Sequence, residues 1–491
     1  MTVLNYIFLS ILYFWCSSTA LSLGVGYYTL YRPIISGMLA GLVLGDFKLG
    51  MLAGSVVNII YIDFVSTGGS LKGDQCLTAM IAATAAVIFK LSPIEAAAIA
   101  YPVGFAGILI WKYRLSINTV FVRKYNEKYK LGQNPNISIY DGVLPQVLLY
   151  IMSAAVIVIS IGAMLMFKGL IVKYNEIVKH ILLLIGIFLI SVSVINVLLK
   201  LKSYFGIIIF FAVLFLIIVF DISSIIIMLI LLIFFMYLTF KDISFDKIKE
   251  GFTKKYEIIV LRKSDLFYSW FIWMNFSHSC YNYERLQGMA FAHSMKNIIK
   301  KLYKDDSSIM SAIKQYTEFF NTEPNMGTPI HGYIISLEEQ KSIGNKIVNI
   351  SYIKKGMMGI AAGLGDSFTQ VVLTPLFMSM ALMLCLDNKC VVAMIPFILL
   401  GATIIYISYS GWMNGYYIGR DFLIKRINFV KKNKIKKYFP LIFCGILGAV
   451  IGKLINLNHI TIMNNLLSIG LVTVISIIYA IVVELKTKVK A

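Results

Sequence analysis

Residues 203–240 read SYFGIIIFFAVLFLIIVFDISSIIIMLILLIFFMYLTF, an apolar run in which Asp221 is the one charged side chain. The run is about twice the roughly 20 residues that cross a bilayer as a helix, so it can supply two membrane spans. Apolar stretches also occupy residues 4–23, 33–62, 75–111, 144–167, 181–199, 355–385, 389–409, 438–456 and 463–485. The sequence therefore predicts an all-α polytopic membrane protein.

The overall composition agrees with this prediction. Of 491 residues, 59% are hydrophobic and 14% are charged, and the mean hydropathy is +0.81. Soluble domains have about 45–50% apolar and about 25% charged residues. The excess excludes a soluble globular protein. The first apolar run has no basic region before it, so we expect it to stay as a membrane segment.

The net charge is +21, and the positions of the positive residues indicate membrane orientation rather than nucleic-acid binding. The positive residues cluster at 112–130, 241–263 and 420–437 and in the tail at 486–490. The positive-inside rule predicts that these segments are cytoplasmic loops. Four spans between the first two clusters return the chain to the cytoplasm, as the charges require. We expect a bacterial inner or plasma membrane protein that contacts lipid and no nucleic acid.

The distribution of cysteine and histidine predicts no metal site and no cofactor. The six cysteines form no CxxC pair, and the five histidines form no HExxH motif. The GLGD sequence at 363–366 lacks the lysine of a phosphate-binding loop, which argues against an ATP-driven pump. We expect instead a helix interruption there that faces a substrate path.

Charge and hydropathy divide the chain into two membrane units, predicted at 1–245 and 246–491. Residues 62–75, IDFVSTGGSLKGDQ, predict a re-entrant loop, because transporters build their sites from broken helices. The glycines at 411, 415 and 419 predict close helix packing. Glu95 lies within an apolar stretch, where an acid is either functional or an interfacial residue beside Pro93.

Residues 281–287, YNYERLQ, form a compact polar cluster flanked by aromatic rings. Sugar hydroxyls need partners such as carboxylate, amide and guanidinium groups, and the C–H face of a sugar packs on aromatic planes. Asn282, Glu284, Arg285 and Gln287 offer those groups. The alternative is that Glu284 and Arg285 form a structural ion pair, and the composition leaves both interpretations open.

Several motifs in order resemble one family. YNYERLQGMAF, EFFNTEPNM, SLEEQ and GMMGIAAGLGDSF, within about 264–430, are similar to the IID membrane subunit of the mannose-type (mannose, fructose, sorbose) sugar phosphotransferase system. YRPIISGMLAGLVLGDFKLGMLAGSVVNII at 31–60, followed by Gly73 and Asp74, resembles its IIC partner more weakly. The resemblance implies a natural fusion of IIC and IID in one chain.

The resemblance also implies a function. IIC and IID together would form an elevator-type channel that imports a hexose or amino sugar, and a separate cytoplasmic IIB, supplied by IIA, would phosphorylate it. Homotrimers are implied as well. The chain itself would carry no phosphorylated residue, so whether it counts as an enzyme stays open. The substrate-binding positions implied are Asn58, Asp74, His278, Asn282, Glu284, Arg285, Gln287, Asn321 and Asp366.

Four positions depart from the family pattern. The family usually has Gln at His278, Trp at Tyr281, Glu at Asn58 and Pro at Gly73. We therefore expect that the sugar need not be mannose. The chain ends at Ala491, where many IID subunits continue, so an outer helix is expected to be missing. Two alternatives remain: a proton-coupled sugar transporter that uses Glu95 or Glu284, and a docking role of exposed loops for bacteriocins or phage.

Overall fold

The computed structural model describes residues 1–62, 73–201, 203–240, 260–344, 349–425, 435–458 and 463–489. In the first half the helices are α1 (Val3–Ser17), α2 (Pro33–Leu44), α3 (Phe47–Ile60), α4 (Gln75–Phe89), α5 (Pro93–Ala100), α6 (Gly104–Lys130), α7 (Leu144–Met166), α8 (Lys168–Lys173), α9 (Asn175–Leu201), α10 (Tyr204–Phe220) and α11 (Ser224–Phe240).

The second half continues with α12 (Lys263–Phe276), α13 (Gly288–Leu302), α14 (Asp306–Tyr316), α15 (Thr328–Ser342), α16 (Ile350–Phe368), α17 (Thr374–Leu386), α18 (Met394–Ile418), α19 (Ile435–Leu457) and α20 (Leu466–Val489). Within the described residues, seven helical segments are long and apolar enough to cross a bilayer. The all-α, polytopic prediction is confirmed. The run at 203–240 divides into α10 and α11, as predicted, and Asp221 at φ 42° ends α10.

A glycine-lined hairpin, α2 and α3, forms the centre of the first unit. The same five letters, GMLAG, occur at 37–41 and at 50–54. A Cβ atom on Gly41 would lie 2.8 Å from the Gly50 Cα, and one on Gly54 would lie 2.1 Å from the Pro33 carbonyl oxygen. The backbones therefore touch, as small residues allow between membrane helices. Both helices pack on α4, whose residues 75–86 are all buried.

The polar residues near this hairpin hold helix ends. Asp74 caps α4, since its Oδ1 accepts from the Leu77 amide at 2.8 Å. Ser92 and Glu95 form a capping box at the start of α5, in which Glu95 accepts from the Ser92 amide at 2.8 Å. This capping role gives Glu95 a structural use. The predicted re-entrant loop at 62–75 falls mainly on 63–72, which lie outside the described residues.

Helix α6 corrects one expectation. Residues 112–130 were predicted to be a cytoplasmic loop, but they continue the helix from Gly104 to Lys130. Arg114 is buried within it and donates to the carbonyl oxygens of His278 and Ser279 at 2.8 and 3.0 Å. The clustering of positive residues in the sequence did not reveal this helix. In the sequence, a buried arginine that binds backbone carbonyl oxygens cannot be distinguished from an exposed arginine in a loop. Further along, Arg123 and Lys124 are exposed.

The amphipathic segment of the second unit, α12 to α15, forms a second core together with residues of α6 and α18. Its centre is the buried His331, whose ring lies 3.9 Å from Trp273, 4.1 Å from Phe291 and 5.0 Å from Trp412 between centroids. Helix α15 packs on α18 at Gly415, where a Cβ atom would lie 2.3 Å from the Pro329 carbonyl oxygen. The packing interpretation of the second glycine in the 411–419 series is thus confirmed.

The expected interruption at 363–366 is wrong in its position. These residues belong to α16, and the irregular backbone is a π-helical turn at Thr369–Leu373, just before α17. Glycine lowers helix propensity, but these glycines do not end the helix. In a bilayer the backbone groups must be hydrogen-bonded within the chain, which favours continuing the helix.

The two halves pack side by side through α10 on α19, α9 on α20 and α11 on α17. A buried lysine joins them: the Lys453 Nζ atom lies 2.7 Å from Asp221 Oδ1 and 2.8 Å from Asp387 Oδ1. Asp387 Oδ2 also accepts from the Ser224 amide at 3.0 Å. The predicted boundary at 245/246 lies outside the described residues.

Candidate functional site

A cavity of about 160 Å³ lies where residues from both halves meet. By this measure a water molecule takes about 10–15 Å³, so the cavity has room for about ten waters or one small polar ligand. One wall comes from α1, the 24–31 segment, Asp74 and α6, and the other from residues 278–281, residues 321–324 and α16. Its aromatic residues are Tyr13, Tyr27, Tyr28, Tyr31, Trp111 and Tyr281.

The Asp74 corner belongs to the first unit. Asp74 is buried, and besides capping α4 it accepts from the Tyr13 hydroxyl through Oδ2 at 2.7 Å. Tyr13 is buried as well and comes from α1. Gly107 on α6 must lack a side chain here, since a Cβ atom would lie 2.1 Å from the Asp74 Cβ. The corner is therefore a fixed acceptor at the cavity edge.

The turn at 278–281 belongs to the second unit but is held by α6. Arg114 and Asn118 donate to its carbonyl oxygens, and the bond from Asn118 Nδ2 to Tyr281 O is 2.9 Å. The Tyr281 ring lies 6.1 Å from Trp111 and 5.4 Å from His278 between centroids. Burial, with a smaller contribution from the charge of Arg114, lowers the pKa of His278 to about 4. His278 is therefore a neutral imidazole at pH 7.

Asn321 and the turn after it form the next part of the wall. The Tyr281 hydroxyl donates to Asn321 Oδ1 at 3.1 Å. Glu323 is buried behind this wall, where its carboxylate accepts from the Tyr28 hydroxyl at 2.5 Å and from the amides of Asn325 and Met326. Tyr28 belongs to the first unit, so this carboxylate links the two units at the cavity.

Asp366 closes the cavity from α16. Its side chain is partly buried and accepts from Gln370 Nε2 at 3.0 Å. Gln370 lies in the π-helical turn, which brings both side chains to the same cavity. Several polar atoms of lining residues have no hydrogen-bond partner among the described residues: Thr19 Oγ1, Arg114 Nε and Thr322 Oγ1. These three atoms are themselves buried.

The structure brings four of the nine predicted residues to this cavity: Asp74, His278, Asn321 and Asp366. The other five do not line it. Gln287 lies directly behind, with its Nε2 3.4 Å from His278 Nε2, and it bonds the Thr322 backbone through both amide atoms. Asn58 is buried in α3.

The remaining three predicted residues hold the 281–287 turn. Asn282 is buried and accepts from the amides of Glu284 and Arg285 at 3.1 and 2.9 Å. Arg285 donates to Thr317, at 2.6 Å to its hydroxyl oxygen. Glu284 bonds Arg123 of α6 at 2.6 Å, with Arg123 largely exposed. The Glu284 and Arg285 side chains thus pair with other groups, rather than with each other as the structural alternative supposed.

Sequence reasoning missed the tyrosines at 13, 27, 28 and 31 and Arg114. The signal was present as YYTLYR at 27–32, an unusual aromatic run between membrane segments. Trp111 and Arg114, three residues apart, also share one face of a helix. Neither pattern reveals its partner, since Glu323 lies almost 300 positions beyond Tyr28 in the chain.

Both halves match known families. Residues 260–488 match the PTS system mannose/fructose/sorbose family IID component, and residues 3–259 match the PTS system sorbose-specific IIC component.

Individual relatives agree. The chain is 29% identical over 191 residues to the mannose-specific EIID component of Escherichia coli K12, covering 38% of this chain and 67% of that protein. It is 30% identical over 201 residues to the fructose permease IID component of Bacillus subtilis, covering 40% and 72%. It is 31% identical over 91 residues to the sorbose-specific EIIC component of Klebsiella pneumoniae, covering 18% and 34%. The chain therefore belongs to the mannose/fructose/sorbose family of the sugar phosphotransferase system, with its IIC and IID components joined in one polypeptide.

Proposed function

We propose that the cavity between the two units is the sugar-binding site of this permease. As a joined IIC and IID, the chain is a sugar-translocating, multi-pass component of a bacterial plasma membrane, and it works with cytoplasmic IIA and IIB proteins. The observation that carries the proposal is the meeting of polar and aromatic side chains from both components around one cavity.

The chemistry of the lining suits a monosaccharide. Asp366, Asn321 and His278 can accept or donate hydrogen bonds to hydroxyl groups, while Trp111 and Tyr281 offer ring faces for the C–H surface of a sugar. A site built to bond a particular hydroxyl strongly rejects an analogue that lacks it. We therefore assign recognition of the sugar to these five side chains.

The remaining predicted residues have a supporting role in this proposal. Gln287 orients His278 and the 321–322 backbone, and Asn282 shapes the turn that carries Tyr281. Their loss would act through the geometry of the cavity wall. Glu284 lies at the exposed end of the same turn, bonded to Arg123.

The proposed substrate is a hexose or an amino sugar. Asp74 already caps a helix and bonds Tyr13, so Asp366 is the carboxylate with more capacity for a ligand amine. A preference for an amino sugar would follow if Asp366 meets the ligand nitrogen. We further propose, on family resemblance, that a separate phosphorylated IIB traps the sugar, that the transport movement is of the elevator type and that the protein is a homotrimer.

The proton-coupled alternative gains no support. Both halves match phosphotransferase components, and the two acids that would carry protons are used elsewhere. Glu95 caps α5, and Glu284 bonds an exposed arginine.

The test is sugar phosphorylation by vesicles that contain this protein, its cognate IIA and IIB, enzyme I, HPr and phosphoenolpyruvate. Wild type should phosphorylate at least one sugar of a broad panel, and Asp366→Asn should lose most of that activity while inserting normally. Glu284→Gln is the matched control, because it also neutralises one carboxylate but lies outside the cavity. Equal losses in both variants would contradict the assignment of the cavity.

A further inference from the structure

Two cysteine sulfur atoms meet at the end of α17. Cys385 lies in the last turn of this helix and Cys390 in the connection to α18, and their Sγ atoms are 3.7 Å apart. Both side chains are buried, with 0% and 3% of their surface exposed. Neither thiol has a part in the proposed sugar site, since the cavity lining does not include them.

The contact follows from how α17 ends. Asn388 takes a left-handed conformation at φ 60°, and the Lys389 amide bonds back to the Leu384 carbonyl oxygen at 2.8 Å. The Asn388 amide likewise bonds the Cys385 carbonyl oxygen at 2.9 Å. This is the pattern of a helix C-terminal cap that reverses the chain. The reversal returns residue 390 to the side of residue 385, so the sulfur contact is built into the backbone.

The turn faces away from the cytoplasm. Helix α18 runs from this turn to the basic segment at 420–437, and α11 runs from its contact with Asp387 to the basic segment at 241–263. The positive-inside rule assigns both basic segments to the cytoplasm. The opposite ends of both helices, where the cysteines lie, are therefore extracytoplasmic. Disulfides form and persist on that side of a bacterial membrane.

Cys390 is the thiol that we expect to attack first. The hydrogen bond between the two thiols and the nearby charge of Lys48 lower the pKa of Cys390, against the opposing effect of burial. The thiolate is the nucleophile in disulfide exchange. Cys390 lies in the short connection between α17 and α18, in which Val391 is 72% exposed.

We propose that Cys385 and Cys390 are a reversible disulfide site on the extracytoplasmic side. The oxidant is a low-molecular-weight disulfide: the Cys390 thiolate attacks one of its sulfurs and expels one thiolate. Cys385 then gives up its proton, attacks Cys390 Sγ and expels the second thiolate, which takes up a proton. Two cysteine thiols are oxidised to one disulfide, and one external disulfide is reduced to two thiols.

The disulfide would restrain the turn through which the second unit contacts the first unit. Asp387 lies between the cysteines, and it accepts from the Ser224 amide and pairs with Lys453. A disulfide here closes a short loop and restrains the unfolded chain. The bond would also join the two ends of the turn that carries Asp387, so the oxidised protein should hold this inter-unit contact more firmly than the reduced protein does. This inference is independent of the sugar site.

The experiment uses the full-length protein in right-side-out membrane vesicles. The vesicles are treated with oxidised glutathione, denatured, and labelled with a maleimide, and the labels are counted by mass spectrometry. Wild type should lose two of its six labelled cysteines, and peptide mapping should locate the bond between 385 and 390. Cys390→Ser should lose none, whereas Cys444→Ser, the matched control at another buried thiol, should still lose two.

A membrane-impermeant phosphine reductant then tests the sidedness. It should restore both thiols in wild-type vesicles. Full labelling of all six cysteines after oxidation would overturn the proposal, and so would a bond between other cysteines. Restoration only by a permeant reductant would overturn the extracytoplasmic assignment. Peptide mapping of the wild type gives these answers even if a serine variant folds poorly.

Discussion

Replacing Tyr28 by phenylalanine should weaken the link between the two units at the cavity. The Tyr28 hydroxyl is a donor to the buried Glu323 carboxylate at 2.5 Å. The other groups that reach this carboxylate, the Asn325 and Met326 amides and the Asn325 side chain, are also donors, which suits an ionised acid. Without the hydroxyl, Glu323 keeps its burial but loses one of its partners.

The expected loss is about 1.5–3 kcal/mol in the free energy of unfolding, the range for a hydrogen bond to a charged group. Both side chains are almost fully buried, so bulk water has little access to the Glu323 carboxylate. The ring itself stays, and no cavity forms. The effect should therefore come from the hydrogen bond alone.

The assay is equilibrium unfolding in mixed micelles, titrated with a denaturing detergent and followed by tryptophan fluorescence. Tyr27→Phe is the matched control: it removes the adjacent hydroxyl, which has no hydrogen-bond partner in the described part of the chain. The Tyr27 ring stacks on Tyr31 at 5.5 Å and is unchanged by the substitution. If both variants unfold at the same detergent concentration as wild type, the Glu323 link contributes nothing and the reasoning fails.

Three further predictions concern other parts of the molecule. Gly54→Ala should destabilise the protein by about 1–3 kcal/mol or more, because the new Cβ atom would lie 2.1 Å from a carbonyl oxygen. Gly470→Ala is the control and should not destabilise it, because no atom lies within 4 Å of that position. Detergent unfolding of both variants measures the difference. Lys453→Met should cost about 3 kcal/mol by leaving Asp387 partly buried without its closest cation, and an Asp387→Asn background should recover part of the loss in the same assay. The pKa of His278 is lowered from 6.5 to about 4, so between these pH values the unfolded chain binds a proton that the folded chain does not. The free energy of unfolding should therefore fall by up to about 3 kcal/mol as the pH drops from 6.5 to 4. His278→Gln should remove this part of the pH dependence of thermal stability, and an unchanged profile would contradict the lowered pKa.

The fold class could be predicted because membrane helices are recognisable in a sequence from the length and hydropathy of their apolar runs. The division of 203–240 into α10 and α11 needed only the bilayer thickness and a polar break near Asp221. Helix α6 shows the limit of this approach. Arg114 was assigned to a loop by its charge, but the helix continues and the guanidinium binds carbonyl oxygens of the other unit. Such a partner, more than 160 positions away, leaves no local pattern in the sequence.

The site was partly predictable for a related reason. Motifs that resemble the family located Asp74, His278, Asn321 and Asp366, which line one cavity. The same motifs also contain residues such as Asn282, whose hydrogen bonds shape the turn rather than the cavity. Residue type alone cannot separate these roles, because amides and carboxylates serve both. Whether such a residue lines the cavity or shapes the turn is decided by the direction of its side chain, which depends on tertiary packing.

Equilibrium binding of sugars to the purified protein tests whether the cavity between the two units is the sugar site. A panel of hexoses and amino sugars is added to wild type, Asp366→Asn and Glu284→Gln, and the shift in thermal stability is measured, since a ligand of the folded state stabilises it. We expect a selective shift from one sugar in wild type and in Glu284→Gln, and its loss in Asp366→Asn. A shift that survives in Asp366→Asn but disappears in Glu284→Gln would contradict the claim that the cavity between the units binds the sugar.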